Sequence, residues 1–183
     1  MNLPESGPVL EAGELLLRPP SDDDLPELAA AFADPAVARI SAMSRFGEPP
    51  YGEPEARAWL DSHEKARAEG RRLMLAITEH GVLVGTIDID GANAGQGRAE
   101  LGYWVAVAHR GRGVARRAIR ATADYALAEL GLARIELLIE PHNPASCRAA
   151  EAAGFTHEGL LRSFLAFQDQ RHDLVMYSLL PGE

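Results

Sequence analysis

The segment AELGYWVAVAHRGRGVARRAIR (Ala99–Arg120) predicts a strand, a glycine loop and a helix in direct succession. Its first part, Ala99–Val107, is rich in valine and aromatic residues, which predicts a β-strand. Gly111 and Gly113 follow, and from Gly113 to about Leu130 the pattern predicts a long helix. A strand that passes through a glycine loop into a helix brings free backbone N–H groups to the positive end of the helix dipole. Such a site suits a phosphate or pyrophosphate group.

Arginines crowd around this predicted helix start although the chain has 27 acidic and only 18 basic side chains. The crowded positions are Arg110, Arg112, Arg116, Arg117 and Arg120. A cation near a helix N-terminus is disfavoured by about 0.3–1 kcal/mol, so a bound anion would offset the placement. The spacing is not the nucleoside-triphosphate loop G-x-x-x-x-G-K-[ST], and in the dinucleotide motif G-x-G-x-x-G the third glycine would be Arg116. A glycine turn followed by a solvated helix face remains an alternative.

The elements around this stretch predict a mixed α/β sheet of about seven strands, mostly antiparallel, flanked by helices. One strand–helix–strand crossover in the middle must pair in parallel. The predicted strands are Glu14–Arg18, Arg72–Thr78, Val82–Asp90, Ala99–Val107, Arg134–Glu140, about Thr156–Ser163 and Arg171–Leu179. Helices are expected from Ser21 or Asp22 to about Asp34, from Asp34-Pro35 toward Ile40, from Pro54 to about Glu69, from Gly113 to about Leu130, and after Asn143.

Length and composition narrow the class of protein. With 183 residues, of which 46% are hydrophobic, the chain is expected to form one domain over residues 1–183. A formal net charge of −9 argues against a nucleic-acid partner. The N-terminus lacks the features of a signal peptide, no apolar run is long enough to span a bilayer, and the single cysteine fits a reducing compartment. We therefore expect a cytoplasmic protein with no membrane partner.

Five segments resemble the GNAT superfamily of N-acetyltransferases, in particular its RimJ/RimL-like branch of ribosomal-protein N-acetyltransferases. Arg110–Ala115 matches [QR]-x-x-G-x-[GA], the acetyl-CoA pyrophosphate motif of that family. AELGYWV lies before it, as the family's fourth strand does. HNPASCRAAEAAGF is similar to a later family segment, and HEGLLR and RHDLVMYSLL resemble the last two strands of the branch. The resemblance covers about residues 10–180 and implies the GNAT fold.

The resemblance implies acetyl-CoA as co-substrate and a set of residues that bind it. The implied set is Val105, Val107, Arg110, Gly111, Arg112, Gly113, Val114, Ala115, Arg116 and Asn143. Val105 and Val107 are expected to flank the point where the fourth and fifth strands part, with their amides free for the cofactor. Which arginine meets which phosphate stays open. A valine at Gly113 is expected to block the phosphate at only a modest cost in helix propensity.

Two residues are predicted to be catalytic. Transfer to an amine needs a group that removes a proton, and Glu100 is the first candidate for this base, with Glu158 as the second. Strand alternation places Glu100, Gly102 and Trp104 on one face and Tyr103 on the other. By the resemblance, Ser146 meets the sulfur of CoA as the acid, although a helix-capping role is open for it and for Asn143. A covalent role for Cys147 is disfavoured, because lone buried cysteines usually pack as small hydrophobes.

The predicted reaction is direct transfer of an acetyl group from acetyl-CoA to a primary amine. The leading acceptor is the N-terminal α-amino group of a protein such as a ribosomal protein. The alternatives are a small amine (a polyamine, an amino acid or an aminoglycoside) and a CoA-binding protein without catalysis. No metal site is predicted, because the 6 histidines lack metal-ligand spacing. The sequence leaves open whether the protein is a monomer or a homodimer.

Overall fold

The computed structural model describes residues 3–4, 7–93, 95–167 and 170–183, and these form an eight-stranded mixed sheet. The strand order is β1-β2-β3-β4-β5-β6-β8-β7. The strands are β1 (Leu10–Ala12), β2 (Leu15–Arg18), β3 (Arg72–Glu79), β4 (Val82–Asn93), β5 (Arg98–Val105), β6 (Arg134–Ile139), β7 (Thr156–Phe167) and β8 (Gln170–Leu179). Every pair is antiparallel except β5 with β6.

Helices cover both faces of this sheet. They are α1 (Leu25–Ala31), α2 (Pro35–Ile40), α3 (Glu53–Ala68), α4 (Val114–Ala128) and α5 (Pro144–Ala152). One core lies between the sheet and helices α4 and α5, and it includes Ile87, Leu101, Ile119 and Ile135. A second core lies under α1 and α3 and includes Phe32, Trp59 and Trp104. In the part of the chain described here, no helix is long and apolar enough to cross a membrane.

The parallel pair β5–β6 is short, and this creates a gap in the sheet. Only Arg98–Glu100 of β5 pairs with β6, opposite Arg134–Glu136. Beyond Glu100, β5 stays with β4 as far as Val105, while β6 continues beside β8. The free edge of β5 therefore faces a wedge that opens toward the start of α4. This wedge is where the sheet can accept an extended ligand through its backbone.

The mixed sheet with one parallel crossover is confirmed, and the differences from the expected elements are local. An eighth strand, β1, is present because Gly13, with a φ of 69°, turns the chain back onto β2. The helix expected from residue 21 or 22 to 34 is shorter, since residues 22–24 form a 3₁₀ turn before α1. The Asp24 carboxylate accepts from the backbone N–H of Ser21 at 2.8 Å and from Arg18, which tightens this first turn.

Gly85 allows β4 and β5 to approach closely at the wide end of the wedge, and the side chain of an alanine there would disturb both strands. A Cβ built at Gly85 would lie 2.3 Å from the carbonyl oxygen of Trp104, which is well inside van der Waals distance, so the two atoms would clash. We expect Gly85→Ala to lower the free energy of unfolding by about 3 kcal/mol, and hence the Tm by roughly 6–12 °C.

The matched control is Gly52→Ala, since a Cβ at Gly52 would meet its nearest atoms at 3.6 Å. As a change at a helix N-cap it should cost only about 0.5–1 kcal/mol. Thermal unfolding of the two variants measures the difference. Equal Tm values would show that the sheet accommodates a side chain at Gly85.

Candidate active site

A cavity of about 570 Å³ lies at the wedge between β5 and β6. Its walls come from the end of α2 and the segment after it, from α3, and from strands β3 to β8. The lining includes Ser41, Phe46, Trp59, His63, Arg72, Asp88, Asp90, Glu100, Gly102, Tyr103, Trp104, Glu140, Asn143, Ser146 and Phe164. Apolar rings and several carboxylates thus face one space, which suits a molecule with a positively charged end.

The free edge of β5 presents backbone groups to the wedge. The Ala106 N–H donates to the Val84 carbonyl at 2.9 Å, on the β4 side. Because successive residues of a strand point their backbone groups to opposite sides, the N–H groups of Tyr103 and Val105 face away from β4 and into the wedge. An extended ligand arm in the wedge can pair with them.

Val105 and Val107 do not flank the point where the strands part, which corrects the expectation. The strands separate after Glu100, so Val105 lies at the far, open end of the wedge. The Val105 side chain is buried, whereas that of Val107 is 61% exposed in a 3₁₀ turn after the strand. Val107 does not belong to the core, because the strand has already ended.

The glycine loop forms an open cradle at the N-terminus of α4. Gly111 and Gly113 both have a φ of 74°, and a Cβ built at either would meet nothing within 4 Å. Gly113 is the N-cap of α4, so no side chain caps the first helical amides, those of Val114, Ala115 and Arg116. Both glycines leave space, and the helix dipole adds positive potential. The loop fits an anionic group such as a pyrophosphate.

The positive φ of Gly113 corrects the expected tolerance of valine at this position. Residues with a β-carbon adopt the left-handed region at a cost of about 1–2 kcal/mol, and a β-branched side chain is the least suited to it. Valine would thus strain the loop as well as obstruct the anion. A smaller substitution is needed to separate binding from stability.

Most of the crowded arginines have carboxylate partners within the protein. Arg110 donates to Asp34 at 2.6 Å and to the Val105 carbonyl at 2.9 Å. Arg112 lies 3.1 Å, and Arg117 3.8 Å, from the buried carboxylate of Glu79. These contacts offset much of the unfavourable charge at the helix start without a ligand.

Arg116 differs from its neighbours. It is exposed in the first turn of α4, and within the described parts of the chain it makes no ion pair. Its guanidinium is therefore the cation of this loop with the most freedom to meet a phosphate. The sequence could not separate it from Arg110 and Arg112, whose partners are remote in the chain.

Ser146 and Tyr103 meet across the wedge. The hydroxyl oxygens of the two residues lie 2.6 Å apart, in hydrogen-bond distance. Asn143 caps α5, as one interpretation predicted, since its side-chain oxygen accepts from the Ser146 N–H at 3.1 Å. Burial raises the pKa of Tyr103, so its hydroxyl stays protonated and can donate. A Tyr103 that donates to Ser146 leaves the serine proton free to point into the cavity.

The sequence had placed Tyr103 only on the opposite face of β5 from Glu100. That face packs against α4 and α5, and the structure places Tyr103 there, next to Ser146. The signal that could have found this pair was the same alternation, combined with the position of the crossover helix. Cys147, the neighbour of Ser146, is partly buried against the α4–α5 core.

Glu100 is half-buried on the other face of β5, in the floor of the cavity. Burial, and after it the nearby carboxylates of Asp90 and Glu136, raise the pKa of Glu100 to about 7. A carboxylate that titrates near neutral pH can both accept and release a proton there. Its environment is therefore suited to a general base.

Asp88 is a second carboxylate of this kind, and it is not among the residues predicted from the sequence. It lies on β4 opposite Gly102, where a Cβ would come within 3.0 Å of its carboxylate. Burial raises the pKa of Asp88 to about 7, although Arg72 lies 3.5 Å away and opposes the shift. The signal was present in VLVGTIDID, where two aspartates alternate within an apolar strand.

Glu158 does not belong to this cavity. Its carboxylate accepts two hydrogen bonds from Arg134, each of 2.7 Å, and one from the Ser178 hydroxyl at 2.6 Å. The hydrogen bonds from Arg134 and then Ser178 lower the pKa of Glu158 to about 2. Such a carboxylate is a poor base at neutral pH, and it does not line the cavity. The second candidate for the base is therefore wrong.

Comparison with known proteins gives the family to which these features belong. Residues 14–156 match the model of the acetyltransferase (GNAT) domain. A relative from Bacillus licheniformis, the uncharacterized N-acetyltransferase p20, is 30% identical over 171 residues, or 92% of this chain and 94% of the relative. The chain belongs to the GNAT acetyltransferase family.

Two further relatives belong to the branch that the sequence resembles. The ribosomal-protein-serine acetyltransferase of Escherichia coli is 25% identical over 126 residues, which cover 69% of this chain and 70% of that protein. The solved structure of Mycobacterium smegmatis RimJ in complex with CoA-disulfide is similar with a TM-score of 0.79 at 25% identity, covering 96% of this chain and 86% of that one. The RimJ/RimL-like resemblance is confirmed.

Proposed function

We propose that this acetyltransferase moves the acetyl group of acetyl-CoA directly to the N-terminal α-amino group of a protein. The observation that carries the proposal is the meeting of Glu100, Tyr103, Asn143 and Ser146 in one cavity at the wedge. The anion cradle before α4 adjoins the open end of the same wedge. Donor and acceptor can therefore reach one point from two sides of the sheet.

The residues of the cradle fit the phosphate-bearing end of acetyl-CoA. The open amides at the start of α4, the glycines Gly111 and Gly113, and the free Arg116 would hold the pyrophosphate. The backbone of Tyr103 and Val105 would pair with the pantetheine arm. When bound, acetyl-CoA supplies a thioester carbonyl that an amine can attack.

Three different groups of the cavity remove the proton of the amine, stabilise the carbonyl oxygen and protonate the departing sulfur. Ionised Glu100 accepts the proton that the amine must lose. A backbone N–H on the free edge of β5 offers a hydrogen bond where negative charge develops on the carbonyl oxygen. Ser146, held by Tyr103, donates toward the position of the departing sulfur. These three tasks lie on three sides of one cavity.

The Escherichia coli relative, a ribosomal-protein-serine acetyltransferase, supports a protein as the acceptor. The carboxylates Asp88, Asp90, Glu100 and Glu140 around the cavity attract a protonated amine of any kind. That charge favours a small cationic amine as the second candidate acceptor. We propose further that the chain acts in the cytoplasm as a single domain.

Turnover with a panel of acceptors tests the proposal. Purified protein is mixed with acetyl-CoA and with peptides that differ in their first residue, or with spermidine, free amino acids or an aminoglycoside, and CoA release is measured. We expect the highest kcat/KM for peptides with a free N-terminus. The highest kcat/KM for a small amine would overturn the proposed acceptor. Acetyl-CoA binding without turnover on any amine would overturn catalysis.

The cradle is tested with Gly113→Ala. The methyl group should cost about 1–2 kcal/mol of stability through the positive φ and should also weaken acetyl-CoA binding by about tenfold or more, because it narrows the approach of the phosphate to the backbone. Calorimetric titration of acetyl-CoA measures the binding.

The matched control is Gly131→Ala, just beyond the other end of α4. Gly131 has a φ of 65° and open space around a Cβ, so it carries the same conformational cost away from the cradle. Gly131→Ala should lose similar stability and keep the dissociation constant of the wild type. If both variants bind acetyl-CoA as the wild type does, the loop is structural only.

A further inference from the structure

Buried polar atoms without partners are concentrated in one wall of the cavity. Among the described residues, four such side-chain atoms occur: Ser41 Oγ, His63 Nδ1, Trp104 Nε1 and Thr122 Oγ1. The first three belong to residues that line the cavity, whereas Thr122 lies on α4 and does not. Leaving a buried polar group unpaired costs about 1–3 kcal/mol. Three such costs at one cavity indicate that a bound molecule supplies the partners.

Trp104 decides what chemistry that partner must have. An indole N–H can only donate, so it requires an acceptor atom. Trp104 is 4% exposed, and its N–H has no acceptor, whereas the N–H of Trp59 in the same wall donates to the Ser41 carbonyl at 3.1 Å. Burial lowers the pKa of His63 to about 4, so its ring is neutral and, like the Ser41 hydroxyl, can either donate or accept. The partner that Trp104 needs is therefore an acceptor atom such as a carbonyl oxygen, and His63 and Ser41 can adapt to it.

In the proposed function the reacting amine lies at Glu100, and the acceptor atom lies at Trp104. The distance between these two residues therefore sets how far apart the two groups lie in the bound molecule. The two residues share one face of β5 and are separated by four residues, or about 13 Å between α-carbons. A hydrogen bond of about 3 Å at each end covers part of this distance. An extended peptide rises about 3.3–3.6 Å per residue, so its first two or three residues cover the rest. Gly102, between Glu100 and Trp104, contributes no side chain to this path, and the Asp88 carboxylate lies 3.0 Å from where its Cβ would be.

The wall has a reason to move when an acceptor binds. The three unpaired atoms are screened from water in the form described, so an acceptor reaches them by displacing wall side chains. Ala42, next to Ser41, has a φ of 53°, which is unfavourable for alanine. Strain at this position is relieved if the segment shifts.

We propose that Trp104, with Ser41 and His63, binds a backbone carbonyl oxygen of a peptide acceptor, about two residues beyond the amine that is acetylated. This rests on the proposed function of the same cavity and extends it to a specificity rule. Acceptors need an oxygen at that distance, so a peptide is preferred over a single amino-acid amide. Linear polyamines span the same length but carry only donors when protonated, and they leave Trp104 unpaired.

The test compares trialaninamide with alaninamide, since both present an α-amino group of the same kind. In the wild type we expect kcat/KM to be higher for trialaninamide. Trp104→Phe removes the N–H and keeps an aromatic ring, and it should reduce the ratio of the two kcat/KM values by about 10–100-fold. Acetyl-CoA binding should not change. Thr122→Val, which removes the unpaired atom away from the cavity, should leave the ratio at the wild-type value.

The outcomes are distinct. An unchanged ratio in Trp104→Phe, or a higher kcat/KM for spermidine than for trialaninamide in the wild type, overturns the inference. If no amine is acetylated, the proposed function fails, but the inference about Trp104 can still be tested by binding. Trialaninamide is then titrated into the acetyl-CoA-saturated wild type and Trp104→Phe, and equal affinities overturn the inference. If Trp104→Phe does not fold, Ser41→Ala takes its place in the same comparison. In addition, a wild-type kcat/KM that does not rise with peptide length contradicts the inference.

Discussion

Glu100→Gln is expected to lower kcat/KM by about 10²–10⁴-fold, the range for loss of a positioned base. The amide is nearly the same size as the carboxylate but cannot take a proton. Because Glu100 faces the acceptor side of β5, the dissociation constant of acetyl-CoA should hardly change. Steady-state kinetics and calorimetry on the same preparation measure the two effects.

The pH dependence gives an independent readout of the same residue. Burial raises the pKa of Glu100 to about 7, and only the ionised carboxylate accepts a proton. The kcat/KM of the wild type should therefore rise with pH through about 7. In Glu100→Gln the part of the rise near pH 7 should disappear, or should follow Asp88, whose pKa burial also raises to about 7. A rise that follows the α-amino group of the acceptor, whose ordinary pKa is about 7.7–8.0, should remain.

The control for Glu100→Gln is the same substitution at Glu158. That carboxylate is held by Arg134 outside the cavity, so Glu158→Gln should keep kcat/KM within about threefold of the wild type, the effect of a fraction of a kcal/mol. Full activity of Glu100→Gln at all pH values would remove Glu100 as the base. Asp88→Asn would then be the variant to examine.

Ser146→Ala is expected to lower kcat by about 10²-fold, at the lower end of the range for a proton donor, with little change in the KM of the acceptor. Tyr103→Phe should lower kcat by about tenfold, because it removes one hydrogen bond that orients the serine. In the double variant Tyr103→Phe should add almost nothing, since the tyrosine acts through Ser146.

The leaving group and a control tyrosine separate this role from a structural one. With an acyl donor whose thiol leaves more easily, both effects should shrink, because less help is needed at the sulfur. Tyr125→Phe, on α4 and outside the lining of the cavity, should behave as the wild type. If the losses in kcat from Ser146→Ala and Tyr103→Phe were additive in the double variant, the proposal that Tyr103 acts through Ser146 would be contradicted.

Local patterns in the sequence predicted much of this architecture. Alternation separated Glu100 from Tyr103 on the two faces of β5, and the glycine spacing marked the loop before α4. The short strand β1 was missed because three residues carry too little periodicity to stand out. Glu158 was a plausible base in the sequence, and only its pairing with Arg134, 24 residues away, excludes it.

Long-range contacts explain the rest of what the sequence could not predict. Arg110 pairs with Asp34, 76 residues away, and Arg112 pairs with Glu79, so the charge balance of the loop depends on tertiary structure. The hydrogen bond between Tyr103 and Ser146 spans 43 residues and the wedge. This last contact depends on the splitting of β5 from β6, which strand periodicity does not encode.

Mass spectrometry of one acetylated peptide shows which nitrogen of the acceptor receives the acetyl group. The peptide carries a free N-terminal alanine and an internal lysine, so an α-amino and an ε-amino group compete in one molecule. After incubation with the protein and acetyl-CoA, fragmentation locates the acetyl group. The proposed function predicts a single acetyl group on the N-terminal nitrogen, with none in Glu100→Gln over the same time. An acetyl group on the lysine, or an unmodified peptide beside acetylated spermidine in a parallel reaction, would contradict it.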